Sequence, residues 1–226
     1  MARLAGAGSS ADMTVPVRIA LLGAESTGKT TLATALADSL RTVGRRVVLV
    51  PEVLREWCDA RGRVPRADEQ RGIAEEQARR MMAVQQADVV VADTTPVMTA
   101  VYSDMLFGDR SLYPFALRHQ RIYDATLLTG LDLPWVADGL QRDGAHVRAP
   151  VDAMVRAALG EGGIAWRVVY GRGEERLASA LSALGPLAGG AEPLLPASVT
   201  AAWNCLNCDE AACEHRLFTS LVRPAV

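Results

Sequence analysis

Short apolar runs alternate along the chain with segments in which apolar residues recur at helical spacing. Residues 17–22 (VRIALL) are apolar over the length of one strand, and residues 30–43 carry leucines and alanines at helical spacing. The alternation continues to about residue 184. Strands and helices that alternate in this way form a parallel sheet covered on both faces, so we expect a three-layer α/β fold.

The same pattern gives approximate bounds for the elements. The run at 89–92 (VVVA) is fully apolar, as buried parallel strands are. In the long charged segment 68–86, Ile73, Met81 and Val84 lie on one face of a helix. The predicted strands are 17–22, 46–50, 89–92, 125–129 and 166–170, and the predicted helices are 30–43, 68–86, 96–107, 112–123 and one that ends near residue 159.

Composition narrows the class of protein. Half of the 226 residues are hydrophobic, which is enough for a sizeable core, and the net charge of −2 argues against a protein that coats nucleic acid. No apolar run approaches the roughly 20 residues that span a bilayer. The first residues lack the apolar stretch of a secretory signal, so we expect a cytoplasmic protein. The expected organisation is a disordered leader at 1–14, one domain at 15–184, and a linker with a cysteine-rich extension at 185–226.

Residues 23–30 (GAESTGKT) match the phosphate-binding P-loop pattern, with a strand before it and a helix after it. Lys29 is the only lysine among the 24 basic Lys and Arg residues, which indicates a position where arginine does not serve. The alternative is a glycine-rich turn that binds nothing. We predict an ATP site at which nucleotide contacts come from Gly23, Glu25, Ser26, Thr27, Gly28, Lys29, Thr30 and Thr31.

Acidic residues follow the second and third strands, whose carboxyl ends line the ligand crevice of a parallel sheet. Thr30 and Asp93 are the expected Mg²⁺ ligands, although Asp93 could instead cap the next helix. Glu52 is the candidate general base, because a carboxylate there can accept a proton from an attacking hydroxyl. Arg55, one helical turn on, can bind a substrate phosphate or pair with Glu52. The alternative for both is a solvated charge cluster at a helix start.

Further candidates come from arginines and aromatic residues. Arg142 and Arg148 fall in a predicted loop at 138–149, where a closing lid could neutralise the charge of a transferred phosphoryl group. A plain surface position is the alternative for each arginine. The aromatic side chains of Trp57, Tyr102 and Trp135 can stack on a planar base or pack in the core.

The C-terminal segment holds three of the four cysteines. Cys205 and Cys208 form a Cys-x₂-Cys pair, and Cys213 and His215 complete a Cys₃His set of the kind that binds structural zinc. The last two ligands are only two positions apart, which is unusual spacing. A zinc site and a group of reduced, packed thiols therefore both remain open.

In order along residues 15–184, these motifs resemble the NadR-type nicotinamide riboside kinase domain, a group often filed by name with the AAA-family ATPases. The resemblance implies a P-loop nucleoside-kinase-like core with strand order 2-3-1-4-5, and transfer of the ATP γ-phosphate to nicotinamide riboside. It also places Asp138 among the substrate-binding residues. It rests on the P-loop, 50–52 (VPE), 55–57 (REW), 92–94 (ADT), 99–103 (TAVYS), 107–108 (FG), 123–124 (YD), 132–139 (DLPWVADG) and 170–171 (YG).

This sequence differs from the pattern of that family in several places, so other functions remain open. Bifunctional members carry an adenylyltransferase domain ahead of the kinase, and we expect a standalone form here. Many relatives have a second acid after the third strand, where this chain has Thr95. The alternative function is an ATP-binding regulator or interaction protein with a zinc-bearing tail. The Asn-Lys-x-Asp motif of GTPases needs a second lysine, and an AAA+ motor needs an acid directly after Asp93, where Thr94 stands.

Overall fold

The computed structural model describes residues 15–136 and 145–188. One parallel sheet has the strand order β2-β3-β1-β4-β5, with β1 at its centre. The predicted fold class and strand order are confirmed. The strands are β1 (Val17–Leu22), β2 (Val47–Val50), β3 (Val89–Asp93), β4 (Ala125–Thr129) and β5 (Arg167–Val169).

Helices connect the strands and cover both faces of the sheet. The bounds of β1, β4 and α4 are as predicted, whereas α7 is an element that the sequence pattern did not single out. In the described residues the helices are α1 (Lys29–Thr42), α2 (Val53–Arg61), α3 (Ala67–Ala83), α4 (Pro96–Phe107), α5 (Tyr113–Gln120), α6 (Arg148–Glu161) and α7 (Glu174–Leu184), with 3₁₀ turns at Ala145–Val147 and Gly185–Ala188.

The core consists of two layers on opposite faces of the sheet. Ile19 and Leu21 of β1 pack in one cluster with α1 and α7, while Leu22 packs in another with α4, α5 and α6. This division follows from the strand geometry, because successive side chains point to opposite faces. Burial on both faces explains why the strands are near-continuous apolar runs rather than alternating ones.

Two regions of the predicted organisation fall largely outside the described residues, namely the leader at 1–14 and the extension at 185–226, of which 185–188 form the last 3₁₀ turn. Within the described ranges, no helix has both the length and the apolar character needed to cross a membrane.

All five strands run in the same direction, so their carboxyl ends meet at one edge of the sheet. The P-loop leaves β1 at this edge, Glu52 follows β2, and Asp93 is the last residue of β3. Gly130 and Tyr170 follow β4 and β5. Chain segments that are far apart in sequence therefore contribute to one crevice, as expected for an open α/β sheet.

Candidate functional site

The P-loop turns sharply between β1 and α1. Ser26 and Gly28 have positive φ angles of 57° and 76°. Left-handed residues of this kind curl the backbone into a nest whose N–H groups point inward and bind anions. Helix α1 begins at Lys29 with no acidic residue in its first turn, so its positive N-terminus is not neutralised from within the helix. The loop and helix together form a phosphate cradle.

Lys29 lies across this cradle. Its Nζ donates hydrogen bonds to the carbonyl oxygens of Gly23 at 2.8 Å and Ala24 at 2.9 Å, and the residue is only 9% exposed. Burial lowers the pKa of the Lys29 ammonium, and the negative charges of Glu52 and Asp93 oppose that shift. The one lysine of the chain is therefore held where the sequence motif predicts it.

Two threonine hydroxyls tie the P-loop to the neighbouring strand β4. The Oγ1 atoms of Thr27 and Thr129 are 2.7 Å apart, and both residues are fully buried. The Ala24 carbonyl lies 2.8 Å from Thr27 Oγ1, and the Leu22 carbonyl lies 3.1 Å from Thr129 Oγ1. One of the two hydroxyls donates to its carbonyl, and the other donates across the 2.7 Å contact. Sequence reasoning missed Thr129, because nothing local marks a threonine at a strand end as a partner of the P-loop.

Gly23 is the glycine of the P-loop with the least room for a side chain. Its φ angle is +146°, and a Cβ atom there would lie 2.0 Å from Thr129 Oγ1. We expect Gly23→Ala to lower the free energy of unfolding by about 3 kcal/mol, because overpacking adds to an unfavourable backbone conformation. Chemical denaturation would measure the loss.

Gly44 provides the matched control for that substitution. Its φ angle is also positive, at +83°, but no described atom lies within 4 Å of a Cβ added there. Gly44→Ala should cost only about 1–2 kcal/mol, the cost of the left-handed backbone alone. Equal losses for the two variants would contradict the proposed clash with Thr129.

Glu52 stands at the N-cap position of α2, but its side chain makes no capping hydrogen bond. Gln77 of α3 instead bonds the backbone on either side of Glu52: its Oε1 accepts from the Val53 N–H at 2.8 Å, and its Nε2 donates to the Pro51 carbonyl at 3.2 Å. The Glu52 carboxylate is therefore not used as a helix cap. Among the described residues, the Arg55 Nε contacts this carboxylate and lies 3.4 Å from its Oε2.

The environment of Glu52 favours a proton acceptor of increased basicity. The residue is 7% exposed, and burial raises the pKa of its carboxyl group. The positive charges of Lys29 and Arg55 act in the opposite direction, whereas the negative charge of Asp93 adds to the increase. A buried carboxylate next to a phosphate cradle is well suited to take a proton from a hydroxyl group.

Asp93 is buried at the end of β3, with 3% exposure. Its Oδ1 has no hydrogen-bond partner among the described residues. It does not cap α4, because Thr95 occupies the N-cap position and accepts from the Val97 N–H. The capping alternative for Asp93 is therefore wrong. Thr94, the next residue, has a φ of 81°, a strained conformation of the sort found near functional sites.

A third carboxylate, Glu25, lies in the P-loop itself. It is buried, and its Oε2 has no partner among the described residues. Like Glu52 and Asp93, it raises the pKa of Lys29 through its negative charge. The site thus brings three carboxylates to one ammonium group. A carboxylate repels a phosphate, so only the backbone N–H of Glu25 fits the predicted nucleotide contact.

The donor set at this edge fits a magnesium ion. Mg²⁺ prefers oxygen ligands and is commonly held by one or two carboxylates together with substrate phosphates. Asp93 offers a buried oxygen without a partner, and the Thr30 side chain is exposed beside the cradle. In the described parts of the chain, no group of three or more His, Cys, Asp or Glu side chains converges as a metal cluster. Phosphate oxygens and water molecules would complete the coordination.

Arg148 was predicted to lie in a loop, and that prediction was wrong. It is the first residue of α6, buried, and its Nη2 donates to the carbonyl of Leu131 at 3.3 Å. Its Nε has no hydrogen-bond partner in the described residues. The other predicted lid and tail residues lie outside the described ranges, namely Arg142, Asp138, Cys205, Cys208, Cys213 and His215.

The three aromatic residues predicted to stack on a base lie in two separate parts of the structure. Trp57 and Tyr102 are partly buried against one small cluster formed by α2 and α3, and the guanidinium groups of Arg61 and Arg63 lie 5.3 and 4.8 Å from the Trp57 ring centroid. Trp135 lies on the segment after β4, next to Val136, whose backbone bonds the Ser26 hydroxyl of the P-loop. Its position beside the cradle makes Trp135 the better placed of the three for contact with a nucleotide.

The chain is similar to known proteins in its sequence profile and in its fold. The sequence profile of a family described as an AAA domain matches residues 18–176. Among curated proteins, none matches the chain in sequence. Solved structures of NadR protein are similar in fold: a complex with NAD and AMP-PNP has a TM-score of 0.62 and a complex with NR has 0.63, both at 20% identity. The likeness covers 80% of this chain, which spans about half of each NadR chain, 51% and 53% respectively.

Proposed function

We propose that this chain, which belongs to the AAA-domain family, is a kinase that transfers the γ-phosphate of ATP to a hydroxyl group of a small nucleoside. The observation that carries the proposal is the Glu52 carboxylate, which is buried beside Lys29 and free of the capping role that its position would otherwise give it. A carboxylate in this position can take the proton of a hydroxyl group that attacks the γ-phosphate. The P-loop is the part of this proposal that family membership already supports.

Each residue of the site has a distinct task in the proposed reaction. The P-loop N–H groups and Lys29 bind the β- and γ-phosphates, and Glu52 takes the proton of the attacking hydroxyl. Thr30 and Asp93 would hold Mg²⁺, which neutralises phosphate charge when bound. Arg55, paired with Glu52, keeps that carboxylate oriented and adds positive charge to the acceptor side.

The alternative of an ATP-driven motor finds no support in the residues after β3. Such a motor activates water with an acid that follows the metal-binding aspartate, and the position after Asp93 is Thr94. The acid of this site comes instead from the end of β2, where Glu52 lies at the neighbouring strand. This placement favours transfer to a bound acceptor over hydrolysis.

Nicotinamide riboside is the proposed acceptor. The sequence resembles NadR-type nicotinamide riboside kinases, and the NadR structures similar in fold include a complex with NR. An identity of 20% establishes the fold and leaves the acceptor as the part of the proposal to be tested.

Mass spectrometry of reaction products provides that test. Purified protein would be incubated with Mg-ATP and a panel of nucleosides that includes nicotinamide riboside, with Lys29→Ala as the inactive control. We expect a nicotinamide mononucleotide product that is absent from the control. Product from a different nucleoside alone would retain the kinase and replace the acceptor. No product from any nucleoside, with ATP still bound, would favour the regulatory function instead.

A further inference from the structure

Arg176 lies in the first turn of α7 and is 4% exposed. Its guanidinium joins three loops at the carboxyl edge of the sheet. Nη1 donates to the Thr27 carbonyl of the P-loop at 2.7 Å, and Nε donates to the Gly171 carbonyl after β5 at 3.1 Å. Nη2 donates to the Gly130 carbonyl at 3.3 Å and to Asp132 Oδ1 at 2.7 Å, both after β4.

The bond to Thr27 has a consequence inside the phosphate cradle. A trans peptide unit is planar, so its carbonyl oxygen and its N–H point in opposite directions. The described residues contain no cis peptide bond. Because the Thr27 oxygen is held toward Arg176, the N–H of Gly28 in the same peptide unit faces away from Arg176. Gly28 has a left-handed φ and no side chain, so its backbone can rotate more readily than that of another residue.

We propose that Arg176 is a positioning residue that aims the Gly28 N–H at the nucleotide phosphates by fixing the Thr27–Gly28 peptide. Without the guanidinium, the buried Thr27 oxygen would lose its charged donor, and the peptide could rotate to find another. The inference deepens the proposed function and rests on it in one respect, that the P-loop binds a nucleoside triphosphate.

Asp132 sets the orientation of the guanidinium in this arrangement. Its Oδ1 accepts from Arg176, and its Oδ2 accepts from the Gly171 N–H at 2.8 Å. The carboxylate thus fixes Arg176 against the segment after β5, which leaves Nη1 directed at the P-loop. Arginine suits this role because its planar fork presents several donors in fixed directions, whereas lysine presents one compact ammonium group.

An arginine–aspartate pair elsewhere in the chain offers a control for the loss of an ion pair that lies away from the cradle. Arg46 and Asp88 join the segments that precede β2 and β3, at the opposite edge of the sheet, with Nη2 and Oδ1 2.6 Å apart. The Arg46 backbone N–H also donates to Asp88. Removal of this pair disturbs an ion pair between two loops, at an arginine that is 63% exposed, without touching the phosphate cradle.

The test compares Arg176→Met, Arg176→Lys and Arg46→Met in the full chain. Calorimetric titration with Mg-ATP gives the dissociation constant, steady-state kinetics with nicotinamide riboside give kcat and KM, and thermal melting gives stability. We expect Arg176→Met to weaken ATP binding by about ten- to a hundredfold, the range for a lost charged hydrogen bond. Arg176→Lys should recover part of that loss, and the KM for the acceptor should not change.

Arg46→Met should lower the melting temperature and leave the ATP dissociation constant within about twofold, since it alters no phosphate contact. Unchanged ATP affinity in a folded Arg176→Met protein would overturn the inference. If Arg176→Met does not fold, Asp132→Asn is the variant to test. An affinity for ATP that is two- to tenfold weaker, the effect of one neutral hydrogen bond, would support the inference. An unchanged affinity for ATP would overturn it. Weaker ATP binding in a protein that phosphorylates no nucleoside would reject the proposed kinase and keep the role of Arg176.

Discussion

Replacement of Lys29 with methionine is expected to reduce kcat by about a thousandfold or more, since a lost donor to developing phosphate charge has effects of this order. Methionine keeps the length of the side chain and removes the ammonium that bridges the Gly23 and Ala24 carbonyls. Steady-state assay of product formation measures the effect, with melting temperature as the control for folding. Retention of more than a tenth of the wild-type rate would remove Lys29 from the reaction.

Lys29→Arg separates the effect of the shape of the cation from that of its charge, because it preserves the charge. Every other Lys or Arg position of the chain is already arginine. We expect it to be nearly as inactive as Lys29→Met. A guanidinium is planar and broad, and it cannot occupy the 9% exposed site between two carbonyl oxygens in the same way as an ammonium. High activity of Lys29→Arg would mean that charge alone is sufficient.

A single lysine also permits a binding test that does not depend on turnover. An amine-reactive reagent can modify only Lys29 and the N-terminal amine. Because burial lowers the pKa of Lys29, more of its neutral and nucleophilic form is present than for an ordinary lysine. Mg-ATP should protect Lys29 and not the N-terminus, and peptide mass spectrometry would distinguish the two sites.

Glu52→Gln is expected to lower kcat by about 10²- to 10⁴-fold while the ATP dissociation constant stays within about threefold, the signature of a lost general base. Glutamine keeps the shape of the side chain and cannot take the proton of the acceptor hydroxyl. Loss of ATP binding would assign Glu52 to the nucleotide instead, and wild-type turnover would remove it from the base role.

The pH dependence of turnover gives a second readout for Glu52. A general base must be ionised, so the wild-type kcat falls as the pH drops through the pKa of Glu52 in the substrate complex. Burial raises the pKa of this carboxyl above its ordinary value of 4.5, which moves the acidic limb of the profile upward. The residual activity of Glu52→Gln should lack that limb.

Glu56→Gln serves as the matched control, because it makes the same change on the same helix at a half-exposed side chain paired with Arg80. It should leave kcat within about twofold, in line with other exposed ion pairs.

The pH dependence of the free energy of unfolding provides a further test of Glu52. A raised pKa means that the folded protein holds the Glu52 proton more tightly than the unfolded chain, so the stability from this group is full below pH 4.5 and is lost as the pH rises through the folded pKa. Glu52→Gln should therefore stabilise the fold near pH 8, by an amount that shrinks toward acidic pH.

Structural features that depend on residues adjacent in the sequence were predicted well. The strand bounds of β1 and β4 and the whole of α4 follow from local apolar patterns, and the P-loop is complete within eight residues. The carboxylates at 52 and 93 were found because parallel strands place their ends at one edge, so a position in the sequence already implies a place in the crevice.

Residues that act through distant contacts were not predicted. Arg148 carried no local sign that it begins a helix and packs against Leu131, and it was assigned to a loop. Gln77 accepts from the Val53 N–H, next to Glu52, across 24 positions, and nothing in the local sequence of α3 indicates that contact.

The sequence by itself determined that this protein folds as a P-loop α/β domain, because backbone turns, strand burial and phosphate binding depend on neighbours in the chain. Only the tertiary structure decided that Arg176, among the many arginines, donates to a carbonyl of the P-loop. Arg176 meets Thr27 across 149 positions, and the donors of a buried guanidinium are assigned by whichever loops the sheet brings together. Local patterns specify conformation, whereas a hydrogen-bond partner far along the chain is specified only by the packing of the whole domain.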